Sequence, residues 1–189
     1  MSDAPTRAKL RRRALALAWF ILVWDVAEGV IAVTAGLAAG SIALVGFGID
    51  SGIEVFAAAI VIWQLRGSDS RGRERLALQL IALSFFALAA YVGYESGRDL
   101  LLGERPDASP VGIALNIVAL LVMVPVAIVQ RRTGRAMGNE VVVAQSSETW
   151  LSNFLSLSLL IGLGLNAVAG LWWADPAAAL VVAGLATYS

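Results

Sequence analysis

The sequence predicts an all-α membrane protein, a bundle of six transmembrane helices with both termini cytoplasmic. Three observations carry that reading. Of 189 residues, 59% are hydrophobic and 15% charged, whereas an ordinary soluble domain is about 45–50% apolar and about 25% charged. The apolar residues gather into six runs, each close to the ~20 residues that a helix rising ~1.5 Å per residue needs to cross a bilayer. The Lys and Arg residues crowd into alternate connections between these runs. A helix satisfies its own backbone in lipid, and the other open route, a barrel, needs alternating short strands that the sequence lacks.

The first run, 14–38, follows a basic stretch, 1–13, that carries Arg7, Lys9, Arg11, Arg12 and Arg13. A basic lead before an apolar run also describes a cleaved signal peptide, but Asp25 and Glu28 interrupt this one, so it reads as a retained helix. The second run, 41–64, is entered through small residues: Gly40, Ser41, Gly46, Gly48, Ser51 and Gly52. They suit close helix packing, and beside Asp50 they also suit local unwinding or backbone approach. Arg66, Arg71, Arg73 and Arg75 separate it from the third run, 76–94, after which Glu95 reads as interfacial. The next connection mixes Arg98 and Arg105 with Asp99, Glu104 and Asp107, and the fourth run is 111–130. Arg131, Arg132 and Arg135 precede the fifth run, 141–165. The sixth, 171–188, opens with Trp172 and Trp173 at an expected aromatic belt, while Asp175 and Pro176 suit a helix start. Twelve of the fourteen basic residues thus fall on one side, which by the positive-inside rule is the cytoplasm. The domain reading is a basic cytoplasmic N-terminus over 1–13, a six-helix transmembrane domain over 14–189, and no soluble C-terminal domain.

The charges balance at 14 Lys+Arg and 14 Asp+Glu, so no basic surplus exists to neutralise a nucleic-acid backbone. The chain has no Cys and no His. Disulfides, thiolate nucleophiles, imidazole bases and zinc sites built on sulfur or nitrogen ligands are therefore excluded. No pairing of nucleophile and base stands out, which argues against an enzyme.

The ionisable groups inside the runs are all acidic: Asp25 and Glu28 in the first, Asp50 and Glu54 in the second, Glu148 in the fifth. Such groups are expensive in a membrane and by default face a bundle interior or a water-filled path. Spacings of three and four place each pair on one helix face. No Lys or Arg lies within these runs, so the compensating positive charge must come from protons or from a bound cation. A divalent cation that displaces protons from oxygen ligands accounts for the pattern. Gln145, Glu148, Thr149 and Ser152 form a polar stripe on the fifth run that supplies further ligands. For Asp50 and Glu54 the bland alternative is hydrogen bonding between helices by protonated acids; Glu28 suits the lining of a path, and for Asp25 a structural role stands level with a cavity role.

The stretches SIALVGFGIDSGIEVFAAAIVIWQLR and LGLNAVAGLWWADPAAALVVAG resemble the transmembrane domain of the cation diffusion facilitator (cation efflux) family, in particular the short branch without a cytoplasmic metal-binding domain. The resemblance covers essentially the whole chain. It implies a dimeric antiporter that exports divalent metal ions, often zinc, in exchange for protons by alternating access. The family's transport quartet, two residues four apart on each of helices two and five, maps by resemblance onto Asp50 and Glu54 in DSGIE and onto Glu148 and Ser152. The family's familiar His and Asp in the second pair are thereby replaced, and Glu28 stands as a neighbour of the quartet. Imidazole suits zinc, whereas oxygen sites shift preference toward harder ions such as manganese.

The resulting expectation is a Zn²⁺/proton antiporter with Mn²⁺, Fe²⁺ and Cd²⁺ as other cargoes. It works as a homodimer in the bilayer of a prokaryotic inner membrane, binds no nucleic acid and has no prosthetic group. The competing expectation is a non-transporting interaction or regulatory protein that keeps the fold.

Overall fold

A computed structural model describes residues 4–39, 42–67, 71–103 and 110–169, together with Ala177 and Leu180. Within them the chain forms five helices: α1 (Ala4–Ala39), α2 (Ile42–Arg66), α3 (Arg71–Leu102), α4 (Pro110–Met137) and α5 (Glu140–Ala169). The sixth expected run, 171–188, with Trp172, Trp173 and Asp175, lies outside the described residues except at Ala177 and Leu180, which are helical.

The helices outrun the apolar runs that predict them. α1 begins ten residues before 14, and α3 extends from Arg71 to Leu102 rather than over 76–94. Hydropathy marks only the part of a helix that lipid surrounds, and charged turns with good helix propensity continue beyond it. Four of the described segments are long and apolar enough to cross a membrane: Thr6–Ala38, Leu44–Arg66, Arg71–Leu102 and Pro110–Met137. α5 is not among them; its middle carries Gln145, Ser146, Ser147, Glu148, Thr149, Ser152, Asn153 and Ser156.

α1 packs along α2 and also against α4; α4 and α5 form a hairpin; α3 touches α2 and α5, and α5 reaches α2. Glycine sets the closest approach. A Cβ on Gly48 would sit 2.5 Å from Val33 Cγ2 and 3.0 Å from the Gly29 carbonyl, and one on Gly29 would meet the Gly48 carbonyl at 3.2 Å. The small residues at the start of α2 therefore serve α1 contact at Gly48, whereas Gly52 faces open space. The α4–α5 turn is closed by Gly138 at φ 63°. Its N–H donates to Arg135 O (3.1 Å) and that of Asn139 to Gly134 O (3.0 Å), the paired bonds of a left-handed helix cap. Asn139 then starts α5, its Oδ1 accepting from the Val142 N–H at 3.0 Å.

The arginine-rich helix ends meet at one end of the bundle. Arg11 of α1 donates from Nε to Leu65 O at 2.8 Å and from Nη2 to the same carbonyl, capping α2. Asn139 Nδ2 donates to Gln64 Oε1 at 3.2 Å. Next to this end lies an apolar layer of Ala14, Ala18, Ile60, Val61, Leu65, Ile81, Val141 and Val142, all buried. The acids lie further along α1, α2 and α5, beyond this layer.

Candidate metal-cation site

Three helices bring acids into the bundle. On α1, Asp25 is 1% exposed and Glu28 6%; on α2, Glu54 is 6% exposed; on α5, Glu148 is 0% exposed. Asp50 of α2 is partly buried. The spacing explains the placement, since Asp25 and Glu28 share one face of α1 and Asp50 and Glu54 one face of α2. Glu54 lies within electrostatic reach of Asp25, Asp50, Glu148 and Glu28, and Asp25 within reach of Glu28, Asp50 and Glu148. The interactions identified at these carboxylates come from acids, hydroxyls and an indole, with no Lys or Arg among them.

Direct contacts join part of this set. Ser152 Oγ donates to Asp50 Oδ2 at 2.9 Å, linking α5 to α2 across 102 residues of sequence. Glu28 accepts from Trp24 Nε1 at 2.6 Å and from Ser51 Oγ at 3.4 Å, so its carboxylate is held beside α2, one residue from Asp50. Glu148 faces Ser84 of α3, but the Ser84 hydroxyl donates to Ile81 O at 2.7 Å. Both Glu148 oxygens are left buried without a hydrogen-bond partner, as are both oxygens of Asp25, Asp50 Oδ1 and Glu54 Oε1.

Buried oxygen acceptors without donors cost free energy that a donor or cation would return. Carboxylate oxygens are the ligand type that suits hard or borderline divalent cations. The arrangement is a cluster rather than a finished cage: among the described residues, no three acidic side chains converge closely enough to hold a metal ion. Of the residues singled out from sequence, the structure joins Asp50 with Ser152, sets Glu28 against α2, and buries Glu54 and Glu148 within electrostatic reach of each other. Thr149 and Gln145 are also buried. Gln145 turns to α4 rather than to the acids, accepting at Oε1 from Gln130 Nε2 at 2.5 Å.

Trp24, Ser51 and Ser84 escape a sequence reading centred on acids. Signals existed for two of them, because Trp24 precedes Glu28 by one helical turn and Ser84 interrupts an apolar stretch. Glu95, expected to be interfacial, lies with Tyr91 against Gly46 of α2: a Cβ there would collide with the Tyr91 hydroxyl and come within 3.0 Å of Glu95 Oε2.

A multi-helix membrane bundle with unpaired acids at its centre defines an ion-handling class of protein. The cation efflux transmembrane domain matches residues 18–189, and the chain belongs to the cation efflux family. Among curated proteins it is similar to the magnetosome protein MamB of Magnetospira sp. (strain QH-2), 25% identical over 187 residues, which is 94% of this chain and 64% of that protein. The chain therefore spans a little under two thirds of the length of that relative.

Proposed function

We propose that the protein exports divalent metal cations, Zn²⁺ first, in exchange for protons by alternating access. Asp50, Glu54, Glu148 and Ser152 act as ligands, and Glu28 lines the path to them. The observation that carries this is the set of buried carboxylates on α1, α2 and α5 with unpartnered oxygens and no basic residue in the same helix stretches. Carboxylates must lose protons to take a metal ion, so binding and proton release are linked. A sixth helix over 171–188, cytoplasmic termini, a homodimer and a prokaryotic inner membrane complete the proposal. They rest on the sequence pattern and on what family membership implies.

The apolar layer around Val141 and Val142 gives the transport cycle its barrier toward the arginine-rich end. Access from that side requires α1, α2 and α5 to separate there, and the same movement changes how the acids meet. A cation drawing Glu54 and Glu148 together while Ser152 holds Asp50 would convert the open cluster into a coordinated site. Liposomes that carry a metal-sensing dye and a pH gradient test the assignment. Metal flux should fall to the protein-free level in Asp50→Ala/Glu54→Ala, and wild-type flux in that variant would refute the site.

The open geometry of the cluster also favours a second reading, a non-transporting interaction protein with the same fold. Calorimetric titration of the purified chain with Zn²⁺ and Mn²⁺ separates the two. Binding that releases protons and needs the carboxylates belongs to transport; no binding at millimolar metal belongs to the scaffold.

A further inference from the structure

At the arginine-rich end the helices form an open cavity of about 430 Å³, lined by Arg7 and Arg11 of α1, Gln64 at the end of α2, Gly67 just after it, Glu74 of α3 and Asn139 at the α4–α5 turn, among others. It lies apart from the acid cluster, with the apolar layer between them. We propose that this cavity is a binding site for the phosphate group of an anionic phospholipid from the adjoining leaflet.

Its volume falls within the ~300–1,000 Å³ of ordinary ligand pockets and admits a phosphate with its attached alcohol. Its charged groups are two guanidiniums against one carboxylate. The neutral side chains also present donors. Gln64 is 8% exposed and takes the Asn139 amide at its Oε1, which leaves its own amide nitrogen to donate. Asn139 Oδ1 is occupied by the Val142 N–H. Arginine pairs with phosphate through charged N–H donors; Arg11 already spends Nε and Nη2 on the Leu65 and Gly67 carbonyls, so its contribution is Nη1 and its charge.

Depth in the bilayer selects a lipid as the source of the phosphate. Trp63 and Trp19 are each 40% exposed. Arg73 lies over the Trp63 ring at 4.0 Å and Arg66 over the Trp19 ring at 5.2 Å. Exposed tryptophans covered by arginine mark the headgroup level of a membrane. Residues 63 and 66 bracket the α2 residues that line the cavity, so the opening lies where lipid phosphates are. Lys9, Arg12, Arg13, Arg132 and Arg135, all exposed at this end, raise the local concentration of anionic lipid. A phosphate bridging Arg7 and Arg11 would reinforce the Arg11 clamp on the Leu65 carbonyl and tie α1, α2 and the α4–α5 turn together.

The test uses the full chain in neutral detergent and phosphate-free buffer, titrated with phosphatidylglycerol, phosphatidylcholine or inorganic phosphate while thermal unfolding is followed. Phosphatidylglycerol should raise the melting temperature saturably and phosphatidylcholine should not. Arg7→Glu, an exposed position with no bearing on the bundle core, should weaken the apparent affinity for phosphatidylglycerol about tenfold or more. Arg132→Glu makes the same charge change outside the cavity and should weaken it less than about threefold. Glu74→Gln should tighten it. Equal responses to the two lipids, or equal losses in Arg7→Glu and Arg132→Glu, would overturn the site. An Arg7-dependent response to millimolar inorganic phosphate as large as that to the lipid would overturn the assignment to a membrane source. None of these results bears on metal transport.

Discussion

At Glu148 the side chain is fully buried and neither carboxylate oxygen has a hydrogen-bond partner. A group in that state lowers stability, and the proposed ligand role would account for its presence. Replacing it with Met, similar in length and apolar, removes two orphaned acceptors worth about 1–3 kcal/mol each at most. Glu148→Met should therefore raise the melting temperature of the purified protein while abolishing metal flux in liposomes. A destabilised variant would mean that Glu148 is a structural group. Ser152 is the opposite case, since its hydroxyl donates to Asp50 at 2.9 Å. Ser152→Ala strips the one donor from that carboxylate and should cost about 1–3 kcal/mol in unfolding free energy. The missing imidazole gives a third test. Glu148→His places a nitrogen ligand where the family resemblance puts one, and competition assays should show Zn²⁺ gaining over Mn²⁺.

The helix-pair contacts show which parts of the sequence were legible. Apolar runs located α1 to α5, in α1 to α4 because lipid imposes a composition on residues that face it, while α5 falls short of that composition through its polar middle. They did not locate the helix ends at Ala4 and Leu102, because charged turns beyond the bilayer carry no hydropathy signal. The acids of α1, α2 and α5 were visible as costly exceptions, and one-turn spacing correctly placed each pair on one face. Their mutual geometry was not visible, since it depends on how close α1 comes to α2, which a few Cβ atoms decide. The glycines near the start of α2 look equivalent in sequence yet differ in space. Gly48 lies against Val33 and Gly29, and Gly52 against nothing within 4 Å. Gly48→Ala should push α1 from α2 and destabilise the bundle by about 1–3 kcal/mol. Gly52→Ala should be neutral or stabilise by up to about 1 kcal/mol through helix propensity. Thermal unfolding of the two variants, side by side, checks the pair.

For the whole molecule, equal numbers of acids and bases hide two separate populations. Asp25, Glu28, Glu54 and Glu148 of α1, α2 and α5 lie in the bundle interior, while twelve of the fourteen basic residues belong to the N-terminal stretch, to the end of α2 and start of α3, and to the end of α4. The structure brings those three places to one end, through Arg11 on the Leu65 carbonyl and Asn139 on Gln64. One physical end of the bundle therefore carries nearly all the basic charge, and the positive-inside rule predicts that this end faces the cytoplasm. The absence of cysteine makes this testable without background, because any introduced thiol is the sole thiol in the chain. Arg12→Cys and Arg132→Cys each sit at exposed positions of that end. Leu101→Cys, at an 87% exposed position near the far end of α3, reports the opposite side. In intact cells a membrane-impermeant maleimide should label Leu101→Cys and spare the other two, and in inverted vesicles the pattern should reverse. Labelling of Arg12→Cys and Arg132→Cys from opposite sides would break the juxtaposition of these helix ends. Labelling of both from outside would keep the bundle but reverse its orientation, and would leave the direction of exchange, which the proton gradient sets, unchanged.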